Sequence, residues 1–233
     1  MTESNFDRIA QVYDESLPAH VVDHYLEKRA RFVLEHCPRG PALDVGCGTG
    51  ALAARLVGVG YEVVGLDPSE GMLRVLEERS SRVRAVRGSG TSIPFPDGSF
   101  DLVLSVAVMH HIAAADDVRR TLAEMVRVTS PGGRVLVWDH NPRNPYWRLL
   151  MARVPQDTGE ERLIGVQELV EGLVNAGADP VLVTRLGMVP DFTPRRLVGA
   201  AAAAERAAER TPLLRGICAH NVVLASKRSL APT

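Results

Sequence analysis

Three cysteines in 233 residues, Cys37, Cys47 and Cys218, are odd in number and widely separated, with no CxxC pair and no Cys/His spacing of a zinc site. That excludes a disulfide framework, gives no reason to expect a metal, and suits a reducing, cytoplasmic setting. Net charge is all but missing: 27 Lys+Arg stand against 28 Asp+Glu, so no global field favours nucleic acid or an anionic membrane as partner. No apolar run approaches the ~18 residues that span a bilayer, and Met1 to Asp7 is polar and acidic, unlike an export signal. A linker rich in Gly, Ser or Pro is lacking too, so residues 1–233 are expected to form one domain around one sizeable core.

What is present alternates. Apolar residues at helical spacing mark one helix over 19–36, ending before Pro38. The run Ala42 to Val45 reads as a strand that breaks into glycines and resumes as a helix through Leu52, Leu56 and Val57. Glu62 to Leu66 (strand), Ser69 to Arg79 (helix) and Val83 to Val86 (strand) continue it. Next come Phe100 to Ser105 (strand), Asp117 to Val128 (helix, closed by Pro131-Gly132-Gly133) and Arg134 to Trp138 (strand). Beyond residue 140, Val166 to Ala176 and the Ala/Glu/Arg stretch 200–210 predict helices, and Val181 to Leu186 and Val222 to Ala225 predict the last two strands. The pattern predicts an α/β, doubly wound, mostly parallel seven-stranded sheet with helices on both faces. An N-terminal helical part (1–40), a binding core (41–140) and a substrate-side part (141–233), with an insertion at 187–216, are its expected sections.

A glycine-rich turn between a buried strand and a helix brings backbone N–H groups close to a polar or anionic ligand. Alone the turn is ambiguous, since Gly46, Gly48 and Ala51 also satisfy a dinucleotide pattern. Asp44 sharpens it: a carboxylate inside an apolar strand needs donors or a cation, such as an ammonium group of the ligand. So does Asp67, at the end of the next strand, where a carboxylate accepts from both ribose hydroxyls. The segment Ile93-Pro94-Phe95-Pro96-Asp97-Gly98-Ser99-Phe100-Asp101 adds a third feature.

With these residues in order, Leu43 to Val137 resembles the class I S-adenosylmethionine-dependent methyltransferases in their common bacterial small-molecule form, with LDVGCGTG, VVGLDPSEGML, IPFPDGSFDLVLSVAVMHHI and PGGRVLV in sequence. The resemblance implies a Rossmann-like methyltransferase fold and S-adenosyl-L-methionine as cofactor. It implies that Gly46, Cys47, Gly48 and Gly50 wrap the methionine part and that Asp67 holds the ribose. Pro68 and Met72 would flank the adenine, and Ser105 and Val106 would line the floor. Phe6-Asp7 through Tyr13-Asp14 resembles the family's opening segment, so Tyr13 would close over the cofactor. One position departs: Gly88-Ser89-Gly90 stands where many relatives have Gly-Asp-Ala, and Ser89 would make a weaker adenine contact than a carboxylate.

Methyl transfer to a hydroxyl or amine needs an aligned acceptor, exclusion of water and a group to receive a proton. His110 and His111 follow the fourth strand, and Asp139 and His140 follow the fifth, where open α/β sheets bind ligands. His140, in Trp138-Asp139-His140-Asn141-Pro142-Arg143-Asn144-Pro145, is the first candidate base, and His111 the second; the alternative is that His140 and Asn141 only cap a loop. Trp147, Met151, Met188 and Phe192 would supply a pocket wall. Arg195 and Arg196, like Arg148, Arg153 and Arg162, either meet an anionic group or are simply solvated. The expected acceptor is a small molecule, a hydroxyl of a secondary metabolite or sugar intermediate, with N- or C-methylation and a non-catalytic cofactor-binding protein as alternatives. Monomer and homodimer both remain open, and Asp44 and the PFPDGSFD segment disfavour a nicotinamide-dependent dehydrogenase.

Overall fold

A computed structural model describes residues 3–150 and 161–229. Seven strands form one sheet: β1 (Pro41–Val45), β2 (Glu62–Asp67), β3 (Arg84–Arg87), β4 (Phe100–Val106), β5 (Thr129–His140), β6 (Ala178–Leu186) and β7 (His220–Lys227). Their order is β3-β2-β1-β4-β5-β7-β6. The first five run parallel, and β7 is antiparallel to both β5 and β6. The helices are α1 (Glu3–Ile9), α2 (Ala19–His36), α3 (Ala51–Gly58), α4 (Glu70–Arg79), α5 (Ala115–Val128), α6 (Pro145–Leu150), α7 (Val166–Asn175), α8 (Val198–Arg210) and α9 (Pro212–Arg215).

Both faces of the sheet are covered, which is why the central strands read as continuous apolar runs. Residues 42–45 of β1 are all buried. On one face Leu56, Leu76, Leu102 and Trp138 pack with Val33 of α2; on the other Leu43, Val103 and Val137 pack with Met125 of α5 and Leu169 of α7. Chain order reverses between β1 and β4, so the carboxyl ends of these neighbours diverge into a crevice, the place where open α/β sheets bind ligands.

Each predicted strand is present. The fifth is longer than expected: it begins at Thr129, which pairs with Phe100, and Pro131-Gly132-Gly133 is taken up by a register shift before Arg134 pairs with Leu102. Gly132 makes that possible with a φ of 78°. Among the elements not anticipated are α1 and the 3-10 segment Ala10–Glu15, whose polar sequence carries little apolar periodicity. Long-range polar contacts hold them. Asp7 accepts from Ser69 Oγ (2.6 Å) and the Gly71 N–H (2.8 Å), and Asp14 accepts from Thr49 Oγ1 (2.8 Å) and pairs with Arg79.

Candidate active site

The crevice opens into a cavity of about 970 Å³ that runs from the glycine turn to a cluster of histidines. At the first end, the N–H groups of Gly46 and Cys47 both donate to the Leu66 carbonyl (2.7 and 3.1 Å), pinning the turn to β2. Asp67 completes the fastening, accepting the Gly48 N–H at Oδ2 and the Ser69 N–H at Oδ1, both at 2.9 Å. Asp67 also lines the cavity. Gly48 has a φ of 53°, and a Cβ built on it would meet nothing within 4 Å. The turn is therefore open at the point where a ligand would lie.

Asp44 is buried on the floor. Burial, reinforced by the charge of Asp67 and opposed by Arg29, pushes its pKa up to about 7, with no hydrogen bond among the influences. Opposite, the Arg29 guanidinium lies over the rings of Tyr25 (5.8 Å) and Trp138 (6.0 Å). Its buried Nε has no acceptor among the described residues. A buried carboxylate and a guanidinium with an orphan Nε, facing one cavity without an ion pair between them, are costly to leave so. Together they match the ammonium and carboxylate of an amino-acid moiety.

At the second end Asp139 is the organiser. It is buried and accepts four donors: the N–H groups of Val108 (3.1 Å), Met109 (2.6 Å) and His140 (2.6 Å), and His110 Nδ1 (2.7 Å). Burial opposes its ionisation, but the His110 charge and these bonds hold its pKa well below the carboxylate range. A carboxylate partner requires a proton on His110 Nδ1, which makes Nε2 the basic nitrogen. His140 is sandwiched between the rings of His110 (4.0 Å) and Trp147 (3.6 Å). Burial, then His110, lowers the pKa of His140 to about 4 and that of His111 to about 2. His110, Asp139 and His140 are also the one grouping among the described residues spaced for a metal ion. The four donors already on Asp139 speak against that use.

Of the residues anticipated for cofactor or chemistry, Tyr13, Asp44, Gly46, Cys47, Gly48, Asp67, Pro68, Met72, Ser89, Val106, His111 and His140 line this cavity. Gly50 and Ser105 are not among its lining residues. Gly50 starts α3 with a φ of 73°, and a Cβ there would meet Leu76 at 2.5 Å, so it serves turn and packing. Ser105 is buried within β4. Ser89 bonds Thr91 Oγ1 (2.8 Å) from an exposed position.

Trp147 and Met188 reach the cavity, whereas Phe192 is 74% exposed and Arg162 is paired with Glu168. Arg195 and Arg196 are exposed. Met151 and Arg153 lie outside the described residues, as does the side chain of Arg148. Sequence reasoning missed Arg29, Ala107 and His220, all on the cavity wall. Arg29 left a signal: its neighbours at i+3 and i+4, Phe32 and Val33, are core residues, so a charge sits on the apolar face of α2. Ala107 left none. Among the described residues it is the non-glycine residue with positive φ (58°), a conformation with a small energetic cost, placed just after β4.

The methyltransferase-domain family matches residues 43–137. An uncharacterized methyltransferase of Mycobacterium tuberculosis is 35% identical over 167 residues, covering 71% of this chain and 56% of that protein. This chain thus spans little more than half the length of that relative. A demethylmenaquinone methyltransferase of Corynebacterium glutamicum is 34% identical over 161 residues, or 66% of this chain and 68% of that one. Among solved structures, an S-adenosylmethionine-dependent methyltransferase of Thermotoga maritima, described as a possible histamine N-methyltransferase, has the same fold. Its TM-score is 0.70 at 22% identity, covering 97% of this chain and 99% of that one.

Proposed function

We propose, for a chain that belongs to the class I S-adenosylmethionine-dependent methyltransferases, that it transfers the methyl group to a small-molecule acceptor, a hydroxyl of a secondary metabolite or sugar intermediate, bound at the histidine end of the cavity. The observation that carries this reading is one cavity lined at one end by the glycine turn, Asp44 and Asp67 and at the other by His110, His111 and His140. When bound, S-adenosylmethionine supplies an electrophilic methyl group on a sulfonium. Asp67 would hold the ribose hydroxyls, Asp44 and Arg29 the charged groups of the methionine part, and the open face of Gly48 its backbone-hugging portion. Tyr13, carried by the segment that Asp7 and Asp14 dock on the glycine turn, excludes water from above.

The acceptor's proton goes to the His110–Asp139 pair in this reading, rather than to His140 or His111. Asp139 fixes the tautomer of His110 so that Nε2 is its basic nitrogen, whereas the lowered basicity of the other two makes them walls of the pocket. The name of the Corynebacterium relative supports an organic small molecule as the acceptor class. The three free cysteines suit a cytoplasmic enzyme, and among the described residues no helix is long and apolar enough to cross a membrane.

One variant tests the reading. His110→Ala should bind the demethylated product S-adenosylhomocysteine as the parent does by calorimetry, while turnover of an acceptor found by screening with methyl-labelled cofactor falls ~100-fold or more. Turnover that survives in His110→Ala and collapses in His140→Ala would return the base to His140. Saturable NAD binding without S-adenosylhomocysteine binding would remove the assignment altogether.

A further inference from the structure

The acceptor end of the cavity holds a carboxylate that proton transfer to His110 leaves unused. Among the described residues five carboxylates line the whole cavity: Asp14, Asp44, Asp67, Asp117 and Asp191. Asp14 is paired with Arg79, and Asp117 lies 3.8 Å from Arg120. Asp44 and Asp67 flank the glycine turn, where the proposed function employs them. Asp191 is half-buried, and its side chain has one partner among the described residues, the hydroxyl of Tyr146, which donates to Oδ1. No cation answers its charge. Arg29, the one lysine or arginine on the cavity wall among the described residues, goes to the methionine carboxylate in the proposed function.

The fold fixes where Asp191 stands. Its loop, residues 187–193, is fastened on both sides. Before it, Glu205 accepts the N–H groups of Met188 and Val189, and the Tyr25 hydroxyl donates to the Val189 carbonyl (2.9 Å). After it, His20 Nε2 meets the Thr193 carbonyl at 2.7 Å, and the Thr193 N–H closes a turn onto the Pro190 carbonyl (3.1 Å). Facing the loop, Tyr146 is anchored by its own N–H on Asn144 Oδ1 (2.8 Å). From Tyr146 a row of rings leads inward. Trp147 lies 5.9 Å from it between centroids, His140 lies 3.6 Å from Trp147, and His110 lies 4.0 Å from His140. All four rings line the cavity, so the row joins Asp191 to the proposed base.

A half-buried carboxylate met only by a neutral hydroxyl is short of a counter-charge. A carboxylate beside phenol and indole rings suits an organic cation, whose charge pairs with the oxygen while the rings favour the positive group as well. We propose that Asp191 sets the specificity of the acceptor end by pairing with a protonated amine, so that the acceptor is a hydroxylated organic cation, an amino alcohol or an amino sugar. This rests on the proposed function, which brings the reacting hydroxyl to His110. An amine held as ammonium at Asp191 has no free lone pair and does not take the methyl group. The hydroxyl at the other end of the row does: its oxygen bonds the methyl carbon as the carbon–sulfur bond breaks, and its proton passes to His110 Nε2.

Calorimetric titration of the protein loaded with S-adenosylhomocysteine, using tyramine, glucosamine and the N-acetyl derivative of each, tests this. At least one amine should bind saturably, about tenfold or more tighter than its neutral N-acetyl derivative. Asp191→Asn keeps an acceptor for the Tyr146 hydroxyl and removes the charge. It should erase that preference while the melting temperature and the affinity for S-adenosylhomocysteine stay as in the parent. Tyr146→Phe removes the bond between the loop and α6 but leaves the charge, so the preference should survive it. The proposal is overturned if neither amine binds, if amine and N-acetyl derivative bind equally, or if the preference withstands Asp191→Asn. Loss of the preference in Tyr146→Phe alone would make the pair a latch and overturn it too, as would a turned-over amine methylated on nitrogen. The titrations involve no methyl transfer, so their failure leaves the proposed function standing. Turnover unaffected by His110→Ala would strike that function and not the preference for a cation.

Discussion

The two ends of the cavity are assembled by opposite means. At the glycine turn the decisive bond, Gly48 N–H to Asp67, closes over 19 positions, and its partners belong to one strand-turn-helix-strand unit. At the histidine end the wall depends on contacts between distant segments. Tyr146 reaches Asp191 across 45 positions, Trp147 Nε1 reaches the Ala219 carbonyl across 72, and Lys28 of α2 reaches Glu205 of α8 across 177. The glycine turn with its Asp67 anchor is thus a property of a short stretch of chain, the wall around the histidines of the whole tertiary structure. The first can persist while the second is remodelled for another acceptor, which is how one core serves many substrates.

The sharpest way to break this contrast is Glu205. It is buried, accepts from Lys28 (2.6 Å), His24 (3.0 Å) and the N–H groups of Met188 (2.6 Å) and Val189 (3.2 Å), and so ties the 187–189 turn to α2 and α8. Burial opposes its ionisation, but His24 and Lys28 bring its pKa down to about 2. Glu205→Ala leaves the N–H groups of Met188 and Val189 and the His24 ring without their acceptor and Lys28 with Glu209 alone, and should cost about 3 kcal/mol in urea unfolding. Affinity of the remaining folded protein for S-adenosylhomocysteine should stay within about threefold. If cofactor affinity falls in step with stability, the two ends are not independent.

Asp67 probes the other end. Asp67→Ala removes the acceptor of the Gly48 and Ser69 N–H groups and the proposed ribose contact together. Calorimetry should show affinity for S-adenosylhomocysteine lower by about 100-fold, since hydrogen bonds to charged groups contribute about 1.5–3 kcal/mol each. The fold should tolerate it better than Glu205→Ala, because the cavity admits water to the freed N–H groups. A melting temperature that drops as far as in Glu205→Ala would show that the turn is a structural keystone rather than a binding device.

The same contrast explains what the sequence disclosed. Asp44, Gly48 and Asp67 could be located because strand periodicity and glycine spacing place them without reference to the rest of the chain. All seven strands were legible for the same reason, and so was the helix over 200–210. Glu205 was not: in an Ala/Glu/Arg helix nothing distinguishes it from a solvated glutamate until α2 supplies Lys28 and His24. Nor could the sequence show which ring Asp139 engages through Nδ1, at 2.7 Å for His110 and 3.7 Å for His140, the distances on which the proposed choice of base rests. Phe192 looked like pocket wall by composition, yet its loop turns it outward.

The smallest effect tests the charge on the cavity floor. Burial and the neighbouring Asp67 raise Asp44 from 3.8 to about 7, so below neutrality the empty site carries a proton on that carboxylate. An ammonium group favours the ionised form, and binding must then expel the proton. Affinity for S-adenosylhomocysteine should therefore be level above about pH 7 and decline as pH falls below it, by at most about tenfold per unit. Stability of the empty protein runs the opposite way: between 3.8 and 7 the folded chain holds this proton more tightly than the unfolded chain, so raising the pH through that window removes stability. Calorimetry in buffers of different ionisation enthalpy counts the released proton directly, and Asp44→Asn should abolish the release while lowering affinity at neutral pH. Proton release that persists in Asp44→Asn would move the titrating group elsewhere and leave the two-charge recognition of the methionine part resting on Arg29 alone.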